Sequence, residues 1–240
     1  MSLELLGEGF DLHCGGADLR FPHHENERAQ SVALGKTFAN HWMHNGFVVD
    51  LEGEKMSKSL GNVLNLLDLL DKYDPRAYRM LLLQTHYRSP VRVGQDNIDA
   101  SVSALSGLDS FAARTSSLEL SAPDADVLRQ FADVMDNDLD TPAAMALVFD
   151  TVRRANTAFD SGDVATTSSL RASVVEVLAA LGLELSAGSD IDDEIVAKAA
   201  ALDAARGAKD FATADAIRNE LQDLGYVVET SKEGTRVRRG

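Results

Sequence analysis

The stretch FDLHCGGADLRFPHHENERAQSVAL, residues 10–34, decides how the N-terminal part of the chain is read. Phe10-Asp11-Leu12-His13-Cys14 alternates as a short strand does. Gly15-Gly16 and Asp18 follow as a turn, and Phe21-Pro22 opens a helical pattern from His23 to about Leu34, since proline suits a first helical turn. A strand, a glycine turn and a helix in this order are a unit of an α/β sheet. After a break from Gly35 to Asn40, the segment His41 to Val49 carries Trp42, Phe47, Val48 and Val49 and reads as one or two strands around Asn45-Gly46. These units are too few for a complete doubly wound domain, so residues 1–93 are expected to be the second half of one.

Beyond this segment the periodicity turns helical. Leu64, Leu66, Leu67, Leu69 and Leu70 predict a short apolar helix, and Asp74-Pro75 caps the next, Arg76 to Gln84. His86 to Val93 is irregular and basic, with Arg88 and Arg92 around Pro90, before a helix resumes from Gln95 to about Thr115. Residues 94–185 are expected to form a helical bundle. Asp124 to Met135 is one helix, and Thr141-Pro142 opens another with Met145, Val148, Phe149, Val152, Asn156 and Phe159 on one face. Asp163 starts a third that buries Leu170, Val174, Val177, Leu178 and Leu181 and stops at Gly182. Ser186 to Ser189 reads as a linker. The last segment, 190–240, predicts a helix pair (Ile191 to Arg206, Phe211 to Leu224), a stop at Gly225 and a β-hairpin of Tyr226–Glu229 with Thr235–Arg238. The fold class is therefore mixed and mostly α: a partial α/β segment, a helical bundle, and a small α/β C-terminal domain with a hairpin.

The chain has 240 residues, enough for a substantial core, and a net charge of −15. That charge argues against indiscriminate binding to phosphate polymers, so a nucleic-acid partner would have to meet local basic patches. A single cysteine, Cys14, excludes an internal disulfide and points to a reducing compartment, taken here as the cytoplasm. No run of about 18 apolar residues predicts a membrane span.

Three clusters can carry chemistry. In GEKMSKSLGN, Gly53–Asn62, Lys55 and Lys58 are mobile point charges suited to a polyphosphate, with Ser57 and Ser59 as small donors. Two lysines in a loop are otherwise an ordinary solvated surface. In FPHHENE, His23 and Glu27 are four apart and share a helix face, so an imidazole and a carboxylate can reach one Zn²⁺. The same residues also suit a polar helix start, and two ligands leave a tetrahedral site incomplete. Cys14 beside them reads as a small hydrophobe on a strand. Gly15-Gly16 allows close backbone approach to a ligand, and Asp18 can accept hydrogen bonds from ribose hydroxyls, although an ordinary turn has the same composition.

Taken in order, GGADLRFPHHENERAQS, HWMHNGFV and EKMSKSLGN resemble the cysteinyl-tRNA synthetase family of class I aminoacyl-tRNA synthetases. Asp138-Leu139-Asp140-Thr141-Pro142 and Lys209 to Asp215 extend the resemblance over nearly the whole chain. It implies a Rossmann-like catalytic domain with a KMSKS loop, a tRNA-holding bundle and an anticodon-reading end. It further implies that His23 and Glu27 are zinc ligands, that Gly15, Gly16 and Asp18 line the adenosine site, and that Lys58, helped by Lys55, contacts ATP phosphates. ATP, with Mg²⁺, L-cysteine and cysteine tRNA are the implied substrates. Arg88 and Arg92 would meet the tRNA near its acceptor stem, and Lys232, Arg236, Arg238 and Arg239 its anticodon. A monomer is expected.

Two features depart from the family pattern. The family's HIGH signature and its two cysteine zinc ligands lie upstream of the first matching block, and Cys14 stands where a glycine is usual. The expectation is a C-terminal part of the enzyme, with an incomplete zinc site and no capacity to activate cysteine by itself. Two other functions share some of these residues. One is the cysteine ligase of mycothiol synthesis, which lacks the anticodon-reading end; the other is a non-catalytic module that binds tRNA or a protein.

Overall fold

A computed structural model describes residues 2–50, 52–53, 66–70, 72–186, 193–230 and 235–239. Helix α1 (Ser2–Leu6) leads into β1 (Phe10–Gly16), which runs parallel to β2 (Ala39–Asn45), with Phe10 opposite Ala39 and Gly16 opposite Asn45. Parallel strands need a crossover, and α2 (Glu25–Ala33) supplies it. The α-helix begins two residues later than its sequence pattern suggests. Phe21 is extended (φ −140°, ψ 134°), as a residue before proline prefers, and Arg20–His24 is a wide π-type turn.

Asn45-Gly46 separates β2 from β3 (Val48–Val49), which pairs in parallel with β4 (Val91–Arg92), a two-residue strand inside a segment that reads as irregular in the sequence. Between them lie α3 (Leu66–Leu70) and α4 (Pro75–Leu83). Asp74 caps α4 by accepting from the Arg76 amide at 2.8 Å, with Pro75 in the first turn. Met80 and Leu81 are buried, whereas Leu82 of the same apolar run is exposed. Leu69, Leu81, Val93 and Ile98 form a core against which Tyr73, Tyr78, Val91 and Val102 pack.

The chain folds as two compact units, 1–106 with 120–184, and 107–119 with 185–240; α5 (Gln95–Arg114) contributes to both. In the first unit, α6 (Ala125–Asp136), α7 (Thr141–Asp160) and α8 (Val164–Ala180) pack together. Asp124, Asp140 and Asp163 cap their N-termini with side-chain oxygens. The face of α7 read from its apolar spacing is inward at Met145, Val148 and Val152, and Ala144, Thr151 and Ala155 are buried beside it. Leu170, Val174, Val177, Leu178 and Leu181 answer from α8 and its end. The second unit packs α9 (Asp193–Gly207) on α10 (Phe211–Asp223), and antiparallel β5 (Tyr226–Thr230) and β6 (Thr235–Arg239) follow. Its core joins Ile195, Leu202, Leu221 and Tyr226. Asp203 holds β6 by accepting from the Thr235 amide (2.8 Å) and hydroxyl (2.6 Å). Among the described residues no helix is long and apolar enough to cross a membrane.

The turn between α6 and α7 is pinned to the segment before β4. Asp138 (φ 61°) and Leu139 (φ 57°) are both left-handed, a conformation that aspartate tolerates and leucine resists. Arg88 grips the Asp138 carboxylate with Nε at 2.6 Å and Nη2 at 2.9 Å, and Tyr87 adds its hydroxyl at 2.7 Å. These hydrogen bonds, from Arg88 and then Tyr87, hold the Asp138 carboxyl down at about 2. A depressed folded-state pKa contributes stability that is fully present above the unfolded value and lost as pH falls through the folded one. Asp138→Asn keeps a residue that tolerates the left-handed turn but removes the charge. Thermal unfolding should therefore show parent and variant separated by a constant gap at neutral pH. The gap should shrink between about pH 4 and about pH 2. A gap that stays constant through this window would assign the turn's stability to other contacts.

Candidate functional site

The strand-turn-helix unit assembles a cluster of imidazoles around one carboxylate. His13 lies in β1, one pleat before Gly15 on the same strand face. His24 ends the wide turn, and Glu27 follows on the first turn of α2. His13 Nε2 and Glu27 Oε2 are 2.9 Å apart, and His24 Nδ1 meets His44 Nε2, from β2, at 2.9 Å. The rings of His13 and His24 lie 4.6 Å apart, and Trp42 of β2 packs at 4.9 Å from His13 and 5.3 Å from His24. One ligand atom from each of His13, His24 and Glu27 falls within 4.8 Å of the others.

Gly15 is what lets His24 sit here. A Cβ at Gly15 would stand 2.7 Å from His24 Cε1 and 2.9 Å from its Nε2. His24 is only 4% exposed, and its burial, followed by the neighbouring His13 and His44, pushes it below the ordinary histidine value. His23, by contrast, has a side chain 62% exposed, with Nε2 4.0 Å from Glu27 Oε2. The expected pair His23 and Glu27 thus stands together at the edge of the cluster, and the structure adds His13 and His24 on Glu27's inner side. The donor set fits zinc: a borderline ion takes imidazole nitrogen and carboxylate oxygen, and the two imidazoles of His13 and His24 with the Glu27 carboxylate leave one tetrahedral position open. His13 and His44 were not signalled by helical spacing, because they come from strands. The signal available for His13 was its position two residues before a glycine, on the face that the helix must cover.

Gly16 and Asp18 are close neighbours, since a Cβ on Gly16 would meet Asp18 Oδ1 at 2.6 Å; Asp18 sits in a short 3-10 turn, Ala17–Leu19. Cys14 is exposed rather than packed as a small hydrophobe. Lys55, Lys58 and Lys232 lie outside the described residues. Arg92 is exposed on β4 opposite Val49, and Arg88 is committed to Asp138. In β6 the backbone register sets Arg236 opposite Glu229, Arg238 opposite Val227 and Arg239 opposite Tyr226. A cleft of about 410 Å³ opens beside the cluster, lined by Arg20, His24, Glu25, Arg28, Trp42, His44 and Arg88.

The sequence matches three family models in chain order. They are described as the tRNA synthetases class I (C) catalytic domain (residues 1–103), the DALR domain (130–186) and the Cysteinyl-tRNA ligase anticodon binding domain (200–238). Among similar proteins, the cysteine–tRNA ligase of Halorhodospira halophila is 43% identical over 250 residues, covering 100% of this chain and 54% of that protein. The cysteine–tRNA ligase of Cutibacterium acnes is 40% identical over 255 residues, covering 98% and 52%. The chain spans about half the length of the curated relatives it matches. Among solved structures, a ternary complex of Agrobacterium radiobacter K84 LeuRS with tRNA and LeuAMS is similar with a TM-score of 0.56 at 22% identity, over 71% of this chain and 25% of that one. Mycobacterium tuberculosis methionyl-tRNA synthetase with methionyl-adenylate gives 0.52 at 19% identity, over 72% and 40%. At such identities the likeness is one of fold, and the fold of this chain is mostly helical with small parallel sheets.

Proposed function

Because the chain belongs to the cysteinyl-tRNA synthetase family, we propose that it serves the ATP-dependent activation of L-cysteine and its transfer to the 3′ end of cysteine tRNA. The observation that carries this reading is the three-donor cluster of His13, His24 and Glu27, with His23 at its edge, in the segment that matches the class I catalytic domain. Zinc bound there would supply an open coordination position that takes a thiolate far better than a hydroxyl. Recognition through the sulfur would separate cysteine from serine, which size alone does poorly.

The residues of the chain divide the remaining work. Glu27 orients His13 through their hydrogen bond, and buried His24 is held by His44 and Trp42, so the cluster is fixed before a ligand arrives. Gly15 and Gly16 bring the backbone of β1's end close to a nucleoside, with Asp18 as acceptor for ribose hydroxyls. Lys55 and Lys58 would neutralise charge on the α-phosphate and the departing pyrophosphate as the cysteine carboxylate attacks, with Mg²⁺ on the phosphates. Arg92 and Arg88, the latter through whatever reach its pairing with Asp138 leaves, would meet the acceptor side of the tRNA. Lys232, Arg236, Arg238 and Arg239 would meet its anticodon.

Cobalt(II) in place of zinc gives this reading a spectroscopic test. Adding L-cysteine to the cobalt-loaded chain should produce a sulfur-to-metal charge-transfer band, and L-serine at the same concentration should not. Identical spectra with the two amino acids would overturn the sulfur-recognition assignment.

A further inference from the structure

One face of the β1–β2 sheet is used by the imidazole cluster: His13 and Gly15 of β1 and Trp42 and His44 of β2 all meet His24. Side chains alternate along a strand, so Leu12 and Cys14 belong to the opposite face, where the register sets His41 and Met43 beside them. That face is left to solvent. Leu12 is 49% exposed, Cys14 and His41 are exposed, and Met43 is half-buried. Helix α1, which leads into β1, exposes Leu5 and Leu6 as well. A parallel sheet is ordinarily covered on both faces, and two strands are too few to stand alone. Among the described residues β1 and β2 pair only with each other, so each keeps a free edge whose amides and carbonyls are a template for a further strand.

Two observations define what fits there. This chain accounts for 54% of the Halorhodospira halophila ligase and 52% of the Cutibacterium acnes one, so in each relative a stretch of comparable length accompanies the matched part. The net charge of −15 opposes pairing of two copies of this chain. We propose that the bare face and free edge of β1–β2 dock a second, different polypeptide of α/β type, equivalent to the part of these relatives that this chain does not match, and that the two assemble without a covalent join. Its strand extends the sheet at a free edge, and an apolar helix covers Leu12, Cys14 and Met43. The inference rests on the sheet and on the relatives' lengths, not on sulfur recognition. The cobalt test uses this chain by itself, so either can fail without the other.

Cys14 is the only cysteine in the chain and stands on the proposed surface, so its thiol reports docking directly. The tagged chain would be mixed with the unmatched part of the H. halophila ligase, fused to maltose-binding protein to keep it soluble. A one-to-one complex should co-purify, and maleimide labelling of Cys14, read by peptide mass, should slow at least about tenfold in it. Leu12→Lys should weaken association at least tenfold while leaving the unfolding temperature unchanged, since Leu12 is already exposed. Val32→Lys, at an exposed position of α2, should bind as the parent does. Failure to co-purify, a complex in which Cys14 labels at the free rate, or parent-like binding by Leu12→Lys would overturn the assignment. So would a chain that sediments alone as a dimer with Cys14 protected, which would give the face to a second copy.

Discussion

Replacing Glu27 with alanine is expected to weaken zinc binding by the chain at least about 100-fold, beyond the roughly 10- to 100-fold that loss of a merely supporting partner costs. The reason is that Glu27 Oε2 is the atom the cluster shares. It lies 2.9 Å from His13 Nε2 and 4.0 Å from His23 Nε2, and one of its carboxylate oxygens is within ligand spacing of His24. Alanine removes the only anionic donor of the set and frees the His13 ring that the carboxylate orients. A hundredfold loss corresponds to about 3 kcal/mol. Glu27→Gln keeps an acceptor for His13 but offers a poor ligand, so it should fall between. Competition against a chromophoric chelator measures the affinities, and circular dichroism of the metal-free proteins checks that each variant folds. The same assay separates the two imidazoles: the sequence spacing favours His23→Ala as the damaging change, and the burial of the cluster favours His24→Ala. Unchanged zinc affinity in Glu27→Ala would remove the carboxylate from any metal site here.

The contrast between His23 and His24 marks where sequence reading stops. Helical spacing correctly couples position 23 to position 27, because both lie on α2 or its lead-in turn. It is blind to β1 and β2, which supply His13, Trp42 and His44 by crossing under that turn. Most of the longer helices were legible, since aspartate caps and apolar periodicity act locally: Asp74, Asp124 and Asp163 each start the helix that their position predicts, whereas the five-residue α1 left no such signal. Burial on those helices was partly legible. Thr151 and Ala155 of α7 are inward without being strongly apolar, because close packing of α7 against its neighbours selects for small size as well as hydrophobicity. Strand β4 left no mark, as a two-residue strand has no period to detect, and its place is set by the chain that crosses Gly46. The Arg88–Asp138 pair, fifty residues apart in sequence, was equally out of reach, and with it the reason for two successive left-handed residues.

Gly46→Ala is expected to be the most damaging single methyl group in the first unit. A Cβ built at Gly46 would lie 2.2 Å from the Ser89 carbonyl oxygen, 2.5 Å from its carbon and 2.9 Å from Pro90 N. All three are backbone atoms, so no side-chain rotation relieves the overlap, and one of the two chain segments must move. Neither is free to do so. The Gly46 amide donates to the Tyr87 carbonyl at 2.7 Å, and just beyond the crossing Val91 N donates to Phe47 O (2.8 Å) and Val93 N to Val49 O (2.9 Å). Displacing Ser89 would therefore break the β3–β4 pairing on one side and pull Tyr87 and Arg88 from Asp138 on the other. Overpacking with lost backbone bonds belongs among the large mutational effects, about 3 kcal/mol or more. For a unit of this size that corresponds to a fall of roughly 6–12 °C in unfolding temperature. Gly107→Ala is the matched control. A Cβ there meets nothing within 4 Å, and it sits inside α5, where alanine is favoured over glycine by up to about 1 kcal/mol. The control should hold or raise the unfolding temperature while Gly46→Ala lowers it. Equal temperatures for Gly46→Ala and the parent would mean that the crossing of the 46 and 89 segments is looser than its hydrogen bonds require.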